Sequence, residues 1–306
     1  MKKPHSLKPG DEIIPVLPAG PLKHINRFHQ SVKFLKKNKY KVRDFNFSPD
    51  IQHDYLCASD QKRFNEIRQA FTDPQAKIVM GIRGGYGCSR LTQLDNFFEN
   101  LQKFNKIFCG FSDLTVINLK MLKAEMVSFY GPMLSSDFGE HQSKFTFNFW
   151  KKMLTSPDGY GVFQLPDNCF SMNSGKVRGI LTGGCLSLIQ TSLGTNWEID
   201  TTDRIIFWEE VGEEPYRVDR MLTHLFDAGK FSKAAGVVVG NIRAESVNSD
   251  LLWEVVKERL SRLSVPILLN VPFGHIRDKI TLPLGVEVEI NADSRIINFV
   301  EGAVTP

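Results

Sequence analysis

Three separate segments of the chain carry side chains that could act together in nucleophilic catalysis. The first contains Ser112, which follows the apolar run Ile107–Cys109 and Gly110 and directly precedes a stretch with helical spacing. A serine at a tight turn between a strand and a helix exposes its hydroxyl, and the helix N-terminus offers backbone N–H groups to an oxyanion. Ser112 could instead be only the N-cap of that helix, which is a common role for serine.

The second segment is the glycine-rich run GIRGGYG, from Gly81 to Gly87, between an apolar strand and a helix. Glycines let the backbone approach a bound group closely and direct N–H groups toward it. The run lacks the G-x-G-x-x-G spacing of a dinucleotide loop, and Arg83 lies inside it. Three interpretations stay open: a loop that faces the Ser112 hydroxyl, a tight turn that needs positive φ, and part of a non-enzymatic dinucleotide-binding module.

The third segment has two parts, a pair of carboxylates and a histidine. Glu209 and Glu210 end the apolar strand Ile205–Trp208, and His275 closes the turn Pro-Phe-Gly-His. Successive strand residues point to opposite faces, so only one of the two glutamates can face a site. His275 could equally be a solvent-exposed turn residue. With Ser112, this segment would complete a nucleophile, a base and a carboxylate that orients the base, in the chain order Ser, Glu, His.

The elements that would position these residues indicate an α/β protein. Through residues 1–150, short apolar strands alternate with amphipathic helices, which predicts a Rossmann-like domain with a parallel sheet that carries the serine. Residues 151–174 are rich in Ser, Pro, Gly and Asn and are expected to be a linker. Residues 175–306 contain many β-branched runs, which predicts a β-rich mixed domain that carries Glu209 and His275.

The composition excludes several classes of protein. Of 306 residues, 42% are hydrophobic and 24% are charged, as in an ordinary globular chain, and no apolar run approaches the ~20 residues of a membrane span. The polar start lacks a secretory signal, so we expect a cytoplasmic protein without a membrane partner. Five cysteines without C-x-x-C spacing predict neither disulfides nor a zinc site. The basic run Lys36–Lys41 is expected to be a solvated helix face rather than a nucleic-acid site.

The motifs, taken in order, resemble the LD-carboxypeptidases (muramoyltetrapeptide carboxypeptidases), whose relatives include microcin C self-immunity hydrolases. The resemblance covers nearly the whole chain. Each motif is modest alone, but the ordered set is specific: RGGYG from Arg83, GFSDLT from Gly110, GPM from Gly131, GGCLSL from Gly183, EEVGE from Glu209, PYRVDRML from Pro215 and PFGH from Pro272. Two positions depart from the family pattern, with Cys185 where asparagine is usual and Glu210 where aspartate is usual.

The resemblance implies a catalytic triad of Ser112, Glu209 and His275, with Glu209 rather than Glu210 as the partner of the histidine. Glu210 would then face solvent or cap a nearby backbone group. The implied oxyanion hole is formed by the backbone N–H groups of Gly85 and Asp113. Arginine forks suit a terminal carboxylate, and the expected substrate contacts are Arg83, Gly84, Tyr216 and Arg217. Arg217 and its neighbour Arg220 could equally be solvated helix charges.

The implied reaction is hydrolysis of the amide between an L-centre and a terminal D-amino acid. For this family, that is the release of D-alanine from a murein tetrapeptide during cell-wall recycling, by a homodimer that needs no cofactor and no metal. A related hydrolase with the same triad, acting on a peptidyl-nucleotide antibiotic, is the alternative. The sequence leaves both substrates open.

Overall fold

In the residues that the structure describes, the strands form one six-stranded and one eight-stranded sheet. The computed structural model describes residues 1–47, 50–94, 96–245 and 249–306. In chain order, the strands are β1 (Glu12–Val16), β2 (Lys41–Val42), β3 (Ala76–Gly81), β4 (Ile107–Cys109), β5 (Ser128–Tyr130), β6 (Gly161–Gln164), β7 (Phe170–Met172), β8 (Lys176–Cys185), β9 (Arg204–Val211), β10 (Gly236–Arg243), β11 (Ile267–Leu269), β12 (Leu282–Leu284), β13 (Glu287–Asn291) and β14 (Ile296–Phe299).

The α-helices cover the faces that these strands leave apolar. They are α1 (Ile25–Lys37), α2 (Asp60–Thr72), α3 (Thr115–Lys123), α4 (Lys144–Thr155), α5 (Leu186–Ser192), α6 (Pro215–Asp227) and α7 (Ser249–Leu260). Helix α2 illustrates the sequence signals, because the Ser59 hydroxyl caps its start by accepting from the Lys62 N–H, and Phe64, Ile67 and Phe71 line its buried face. Within the described ranges, no helix combines the length and the apolar character that crossing a bilayer requires.

The six-stranded sheet has the order β12-β5-β4-β3-β1-β2, and its pairs from β2 through β5 are parallel. This confirms the predicted Rossmann-like parallel sheet. Its central strands are apolar on both faces; Ile13, Ile78, Val79 and Phe108 are fully buried. The strand order reverses between β1 and β3, because β2 lies on one side of β1 whereas β3, β4 and β5 follow one another on the other side. In open α/β sheets, ligands bind beside the carboxyl ends of strands at such a point.

The eight-stranded sheet has the order β6-β14-β13-β8-β9-β10-β11-β7. Its centre, from β8 to β11, is parallel, whereas β13, β14, β6 and β7 add antiparallel edges. This confirms the predicted mixed, β-rich character of the second half. Because β9, β10 and β11 run parallel, the residues that end β9 and follow β11 emerge at the same edge of the sheet.

The structure divides the chain differently from the predicted ranges 1–150, 151–174 and 175–306. One compact unit comprises Met1–Pro157, Arg277–Pro283 and Ala303–Pro306, and the other comprises Asp158–Ile276 and Leu284–Gly302. Residues 151–174 are not a linker, because they contain the end of α4 and the strands β6 and β7. Both are short strands at the edges of the eight-stranded sheet, and such strands carry the polar and turn-forming residues that also mark loops.

Candidate active site

Ser112 occupies a strained turn between β4 and α3. The chain leaves β4 through an extended Phe111, and Ser112 then has a φ of +61° before a 3-10 turn, Ser112–Leu114, leads into α3. A non-glycine residue in this region costs about 1–3 kcal/mol and is typical of functional sites. An N-cap serine would have an extended backbone. The backbone of Ser112 therefore differs from that of an N-cap serine.

Hydrogen bonds from neighbouring side chains hold this turn. The Ser112 N–H donates to the Tyr130 hydroxyl oxygen at 3.2 Å, and the Thr115 hydroxyl donates to the Ser112 carbonyl at 2.6 Å. The Asn118 amide donates to the Gly110 carbonyl at 3.0 Å. These bonds pair the backbone groups that the sharp turn would otherwise leave unsatisfied.

The glycine loop lies directly against the serine. A Cβ atom on Gly84 would lie 2.9 Å from both Cβ and Oγ of Ser112 and 3.4 Å from the Asp113 nitrogen. Gly85 follows with a φ of +121°, which an L side chain rarely adopts. Glycine is therefore required at Gly84 for close approach and at Gly85 for conformation. The backbone of this loop and the Asp113 nitrogen lie beside the hydroxyl, as an oxyanion site needs.

The side chains of Arg63 and Asp113 hold the glycine loop and its neighbouring segments in place through hydrogen bonds. Buried Arg63 donates to the carbonyls of Ala58 at 3.1 Å, Gly87 at 2.9 Å and Pro18, and it forms an ion pair with Asp60. The Asp113 carboxylate accepts from the Cys88 N–H at 2.8 Å, and burial raises its pKa. Sequence reasoning missed Arg63. The only available signal was a charged residue on the apolar face of α2.

Arg83, an expected substrate contact, is half-buried within the loop. Its Nη1 donates to the Pro21 carbonyl at 2.7 Å, and burial lowers the pKa of its guanidinium. One edge of this arginine thus fastens the loop to the chain that follows β1.

Glu209 and His275 form a close pair in the second unit. Glu209 is fully buried, and its Oε2 lies 2.7 Å from His275 Nδ1 and 3.3 Å from the His275 backbone nitrogen. A carboxylate that accepts from Nδ1–H fixes the imidazole tautomer and leaves Nε2 as the basic nitrogen. The structure thus joins the predicted base to the predicted carboxylate.

Gly274 explains the Pro-Phe-Gly-His motif. Its φ is +96°, and a Cβ atom there would lie 2.4 Å from Glu209 Oε2. The carboxylate therefore packs directly on the glycine, and any larger residue would displace either the glutamate or the histidine.

Glu210 points away from this pair and caps a helix. Its Oε2 accepts from the Ser187 N–H at 2.8 Å, at the start of α5, and its Oε1 accepts from the Val211 N–H at 2.9 Å. Glu210 is buried rather than exposed to solvent, so of its two expected roles only the capping role is found. Burial, with a contribution from the charge of Glu209, raises the pKa of Glu210. Cys185 Sγ lies 3.5 Å from the same carboxylate.

Tyr216 and Arg217 lie on the exposed face of α6. Arg217 Nε donates to the Tyr216 hydroxyl at 3.1 Å, and Arg217 Nη1 lies 3.5 Å from Glu213. The Arg220 guanidinium stands 5.5 Å from the centre of the Tyr216 ring. The two arginines and the tyrosine therefore form one exposed basic and aromatic surface.

A buried ion pair that sequence reasoning also missed supports the turn before the serine. Lys279 Nζ lies 2.6 Å from Asp137 Oδ1, and both side chains are almost completely buried. The ammonium also stands 4.1 Å from the centre of the Phe111 ring, a cation–π contact. Asp137 Oδ2 accepts from the Met133 N–H and the Ser136 hydroxyl, each at 2.8 Å. The pair thereby anchors the residue that precedes Ser112.

The cysteine thiols are poorly suited to act as nucleophiles. All five are free and buried, and burial raises the pKa of each thiol, to about 12 at Cys57 and to about 11 at Cys169. A thiol needs a lowered pKa to react readily at neutral pH. Among the described side chains, no group of three or more His, Cys, Asp or Glu is arranged to hold a metal ion.

Comparison with known proteins places this chain in a family. Residues 13–131 match the LD-carboxypeptidase N-terminal domain, and residues 178–290 match the LD-carboxypeptidase C-terminal domain. The chain is 31% identical over 296 residues to the probable murein peptide carboxypeptidase of Bacillus subtilis, with 94% of this chain and 91% of that protein covered. It is 25% identical over 307 residues to the microcin C7 self-immunity protein MccF of Escherichia coli, with 90% and 88% covered.

Solved structures agree with these matches. The muramoyltetrapeptide carboxypeptidase from Oxalobacter formigenes is 32% identical and superposes with a TM-score of 0.83, covering 96% of this chain and 100% of that one. MccF in its inactive mutant apo state is 25% identical and gives a TM-score of 0.90, with 99% of each chain covered. Because the two matched domains together span more than half of its residues, the chain belongs to the LD-carboxypeptidase family.

Proposed function

We propose that this peptidase is a serine-type LD-carboxypeptidase that releases terminal D-alanine from a murein tetrapeptide during cell-wall recycling. The proposal rests above all on the 2.7 Å contact between Glu209 and His275, a buried carboxylate on an imidazole. The strained conformation of Ser112 provides the second support. The roles of Ser112, Glu209 and His275 as one triad are part of the proposal.

In this mechanism, His275 Nε2 takes the proton of Ser112 Oγ while the oxygen attacks the carbonyl carbon of the terminal amide. The backbone N–H groups of Gly85 and Asp113 stabilise the oxyanion. The imidazolium, stabilised by Glu209, then donates its proton to the departing amine, and an acyl-enzyme remains. A water molecule, deprotonated by His275, attacks the ester and releases the shortened peptide.

The free carboxylate of the terminal residue needs a cationic or N–H-rich partner. Arginine binds both oxygens of a carboxylate in a planar fork. The proposed contacts are Arg83, Gly84, Tyr216 and Arg217. The backbone of Gly84 lies beside Ser112, where it could contact the substrate. The exposed side chains of Tyr216 and Arg217 provide an aromatic ring and a positive charge.

The names of two relatives favour a murein peptide as the substrate. The Bacillus subtilis and Oxalobacter formigenes proteins are named for murein or muramoyl peptides and are 31% and 32% identical to this chain. The competing substrate is a peptidyl nucleotide, because MccF, at 25% identity, is named for microcin C7 immunity. Structures of MccF contain aspartyl sulfamoyl adenosine and glutamyl sulfamoyl guanosine. Both candidate substrates would be hydrolysed at an acyl C–N bond, and they differ most plainly in the leaving group, which is an amino acid in one and a nucleotide-linked nitrogen in the other.

The test is incubation of the purified protein with an LD-tetrapeptide, its LL isomer and an aminoacyl sulfamoyl adenosine, followed by mass spectrometry of the products. We expect loss of one alanine from the LD-tetrapeptide alone. Ser112→Ala should abolish this loss, and a fluorophosphonate should label the unmodified protein at Ser112. Cleavage of the nucleotide conjugate without turnover of the tetrapeptide would favour the competing function.

Family membership also leads us to propose a cytoplasmic homodimer. Light scattering on the purified protein would measure its mass, and a monomer at micromolar concentration would contradict the dimer. Fractionation of the source cells tests the location.

A further inference from the structure

A tight hairpin, residues 52–56, lies beside the glycine loop. Gln52 and Leu56 exchange two backbone hydrogen bonds, each 3.0 Å long. Between them, His53 has a φ of +52° and Asp54 a φ of +61°. Two successive non-glycine residues in this region are uncommon, and such strain is concentrated at ligand-binding sites.

The hairpin presents aromatic rings to solvent. Tyr55 and Tyr86 are each 48% exposed, and their ring centres lie 5.6 Å apart in an edge-to-face arrangement. His53 stacks on Tyr55 with ring centres 5.8 Å apart and planes at 24°. We call His53, Tyr55 and Tyr86 the aromatic platform. Exposed aromatic side chains that are fixed by their neighbours are typical of binding surfaces.

Backbone contacts tie the aromatic platform to the proposed nucleophile. The Cys57 N–H donates to the Ala19 carbonyl at 3.0 Å, and a Cβ atom on Gly20 would lie 3.5 Å from the Tyr55 carbonyl and 3.3 Å from the Gly84 carbonyl. Gly84 in turn lies against Ser112. Tyr86 is two residues beyond Gly84, so its Cα atom is at most about 7 Å further along the chain. The Tyr86 Cα atom therefore lies within about 11 Å of the Ser112 side chain.

The arginine beside the platform is already paired with a carboxylate. Arg90 binds Asp60 through Nε at 2.9 Å and Nη2 at 2.8 Å, and this arginine lowers the pKa of Asp60. The same arginine lies within electrostatic reach of Tyr86 and Tyr55. Asp54, on the hairpin itself, is negative. A neutral ring suits this surface better than a phosphate group does.

We propose that the aromatic platform binds the sugar ring of the muramoyl group at the amino end of a murein tetrapeptide. This inference rests on the proposed function, because the scissile amide must lie at Ser112. Three residues separate that amide from the muramoyl group, and three extended residues span roughly 10 Å. The apolar C–H face of a pyranose can then pack against the exposed tyrosine rings, and its hydroxyls remain hydrated.

The first test compares muramoyl-tetrapeptide with the free tetrapeptide as substrates. The preference is the ratio of the two kcat/KM values. Tyr55→Ala and Tyr86→Ala should each lower this ratio by roughly three- to tenfold, the usual size of an aromatic contact. Tyr86→Phe should retain it, because the ring remains. Phe145→Ala, at an exposed aromatic residue on α4, is the matched control and should also retain it. An unchanged ratio in both tyrosine-to-alanine variants would overturn the proposal.

The second test does not depend on turnover. Titration calorimetry would measure the binding of muramoyl-tripeptide and of free tripeptide to two proteins. One is the Ser112→Ala variant, and the other is the double variant that also carries Tyr55→Ala. The muramoyl compound should bind more tightly, and the added substitution should remove the difference. Equal binding of both peptides would overturn the platform, even if the enzyme hydrolyses tetrapeptides. Tight muramoyl binding that depends on Tyr55, with no tetrapeptide turnover, would support the platform and reject the carboxypeptidase.

The same series of measurements tests whether the aromatic platform binds a nucleobase instead of a sugar. Aminoacyl sulfamoyl adenosine should bind equally to Ser112→Ala with and without Tyr55→Ala. A loss confined to the adenosine compound would reassign the platform to a nucleobase, which also stacks on tyrosine, and would overturn the sugar assignment.

Discussion

Glu209 Oε2 lies 2.7 Å from His275 Nδ1, and the glutamate is completely buried. Glu209→Gln keeps the shape of this contact but removes the charge that stabilises an imidazolium, and it can favour the wrong tautomer. Removing the equivalent charge in a serine protease costs ~10⁴-fold in kcat. We expect a loss of about 10³-fold here, because a longer glutamate holds the ring less rigidly than aspartate does. Steady-state kinetics on an LD-tetrapeptide measures it, with circular dichroism to confirm the fold.

Glu210→Gln is the matched control one residue away. Glu210 caps the Ser187 N–H and is buried, so its loss should affect stability more than chemistry. We expect kcat within about tenfold of the wild-type value and a free energy of unfolding lower by about 1–3 kcal/mol, the cost of weakening a buried charged hydrogen bond. Urea denaturation measures the second quantity. A severe kinetic defect in Glu210→Gln with a mild one in Glu209→Gln would reverse the assignment of the two glutamates.

Lys279→Met tests the buried pair behind the serine. The substitution leaves Asp137 charged and buried without its partner, which typically costs 3–5 kcal/mol. Adding Asp137→Asn removes the stranded charge, so the double variant should be more stable than Lys279→Met alone. Thermal denaturation of the three proteins measures this order. A double variant less stable than the single one would mean that Asp137 acts through its Met133 and Ser136 hydrogen bonds instead.

Glu66 should make stability depend on pH. Its Oε1 accepts from the Leu17 N–H at 2.5 Å at the carboxyl end of β1, and burial raises its pKa to about 7. Because the folded state then binds a proton more tightly than the unfolded state, stability falls as the pH rises from about 4.5 to about 7, by on the order of 2–3 kcal/mol. Glu66→Gln should flatten this part of the curve. Urea denaturation at pH 5 and pH 8 compares the two proteins, and parallel curves would contradict the prediction.

The family resemblance predicted that Glu209 and His275 act together, and the strand order of the structure explains why they meet. Glu209 lies near the end of β9 and His275 follows β11, and these strands run parallel with β10 between them. Carboxyl ends of parallel strands meet at one edge of a sheet, which brings the glutamate at the end of one apolar run close to the histidine that follows another. The choice of Glu209 over Glu210 came from the position that the glutamate has in the family that the sequence resembles.

Other features depend on contacts that periodicity does not encode. The sequence pattern assigns charged residues to solvent, whereas Arg63 and Lys279 are buried because carbonyls and a carboxylate distant in sequence surround them. The spacing in residues 89–100 predicts one α-helix, but the described residues of this stretch form two 3-10 helices, Cys88–Gln93 and Asn96–Lys103. The aromatic platform was missed because Tyr55 and Tyr86 meet only after folding.

Gly274→Ala and Gly10→Ala separate backbone strain from steric displacement at the active site. Both glycines have a positive φ, +96° and +92°, so alanine strains the backbone at either position. A Cβ atom at Gly10 has no neighbour within 4 Å, whereas one at Gly274 would lie 2.4 Å from Glu209 Oε2. Each variant should lose about 1 kcal/mol of stability from strain. Only Gly274→Ala should also lose kcat, by about 100-fold or more, since a displacement near 1 Å has this effect on a catalytic group. Equal kcat values for the two variants, measured on an LD-tetrapeptide, would show that the position of His275 does not limit the reaction.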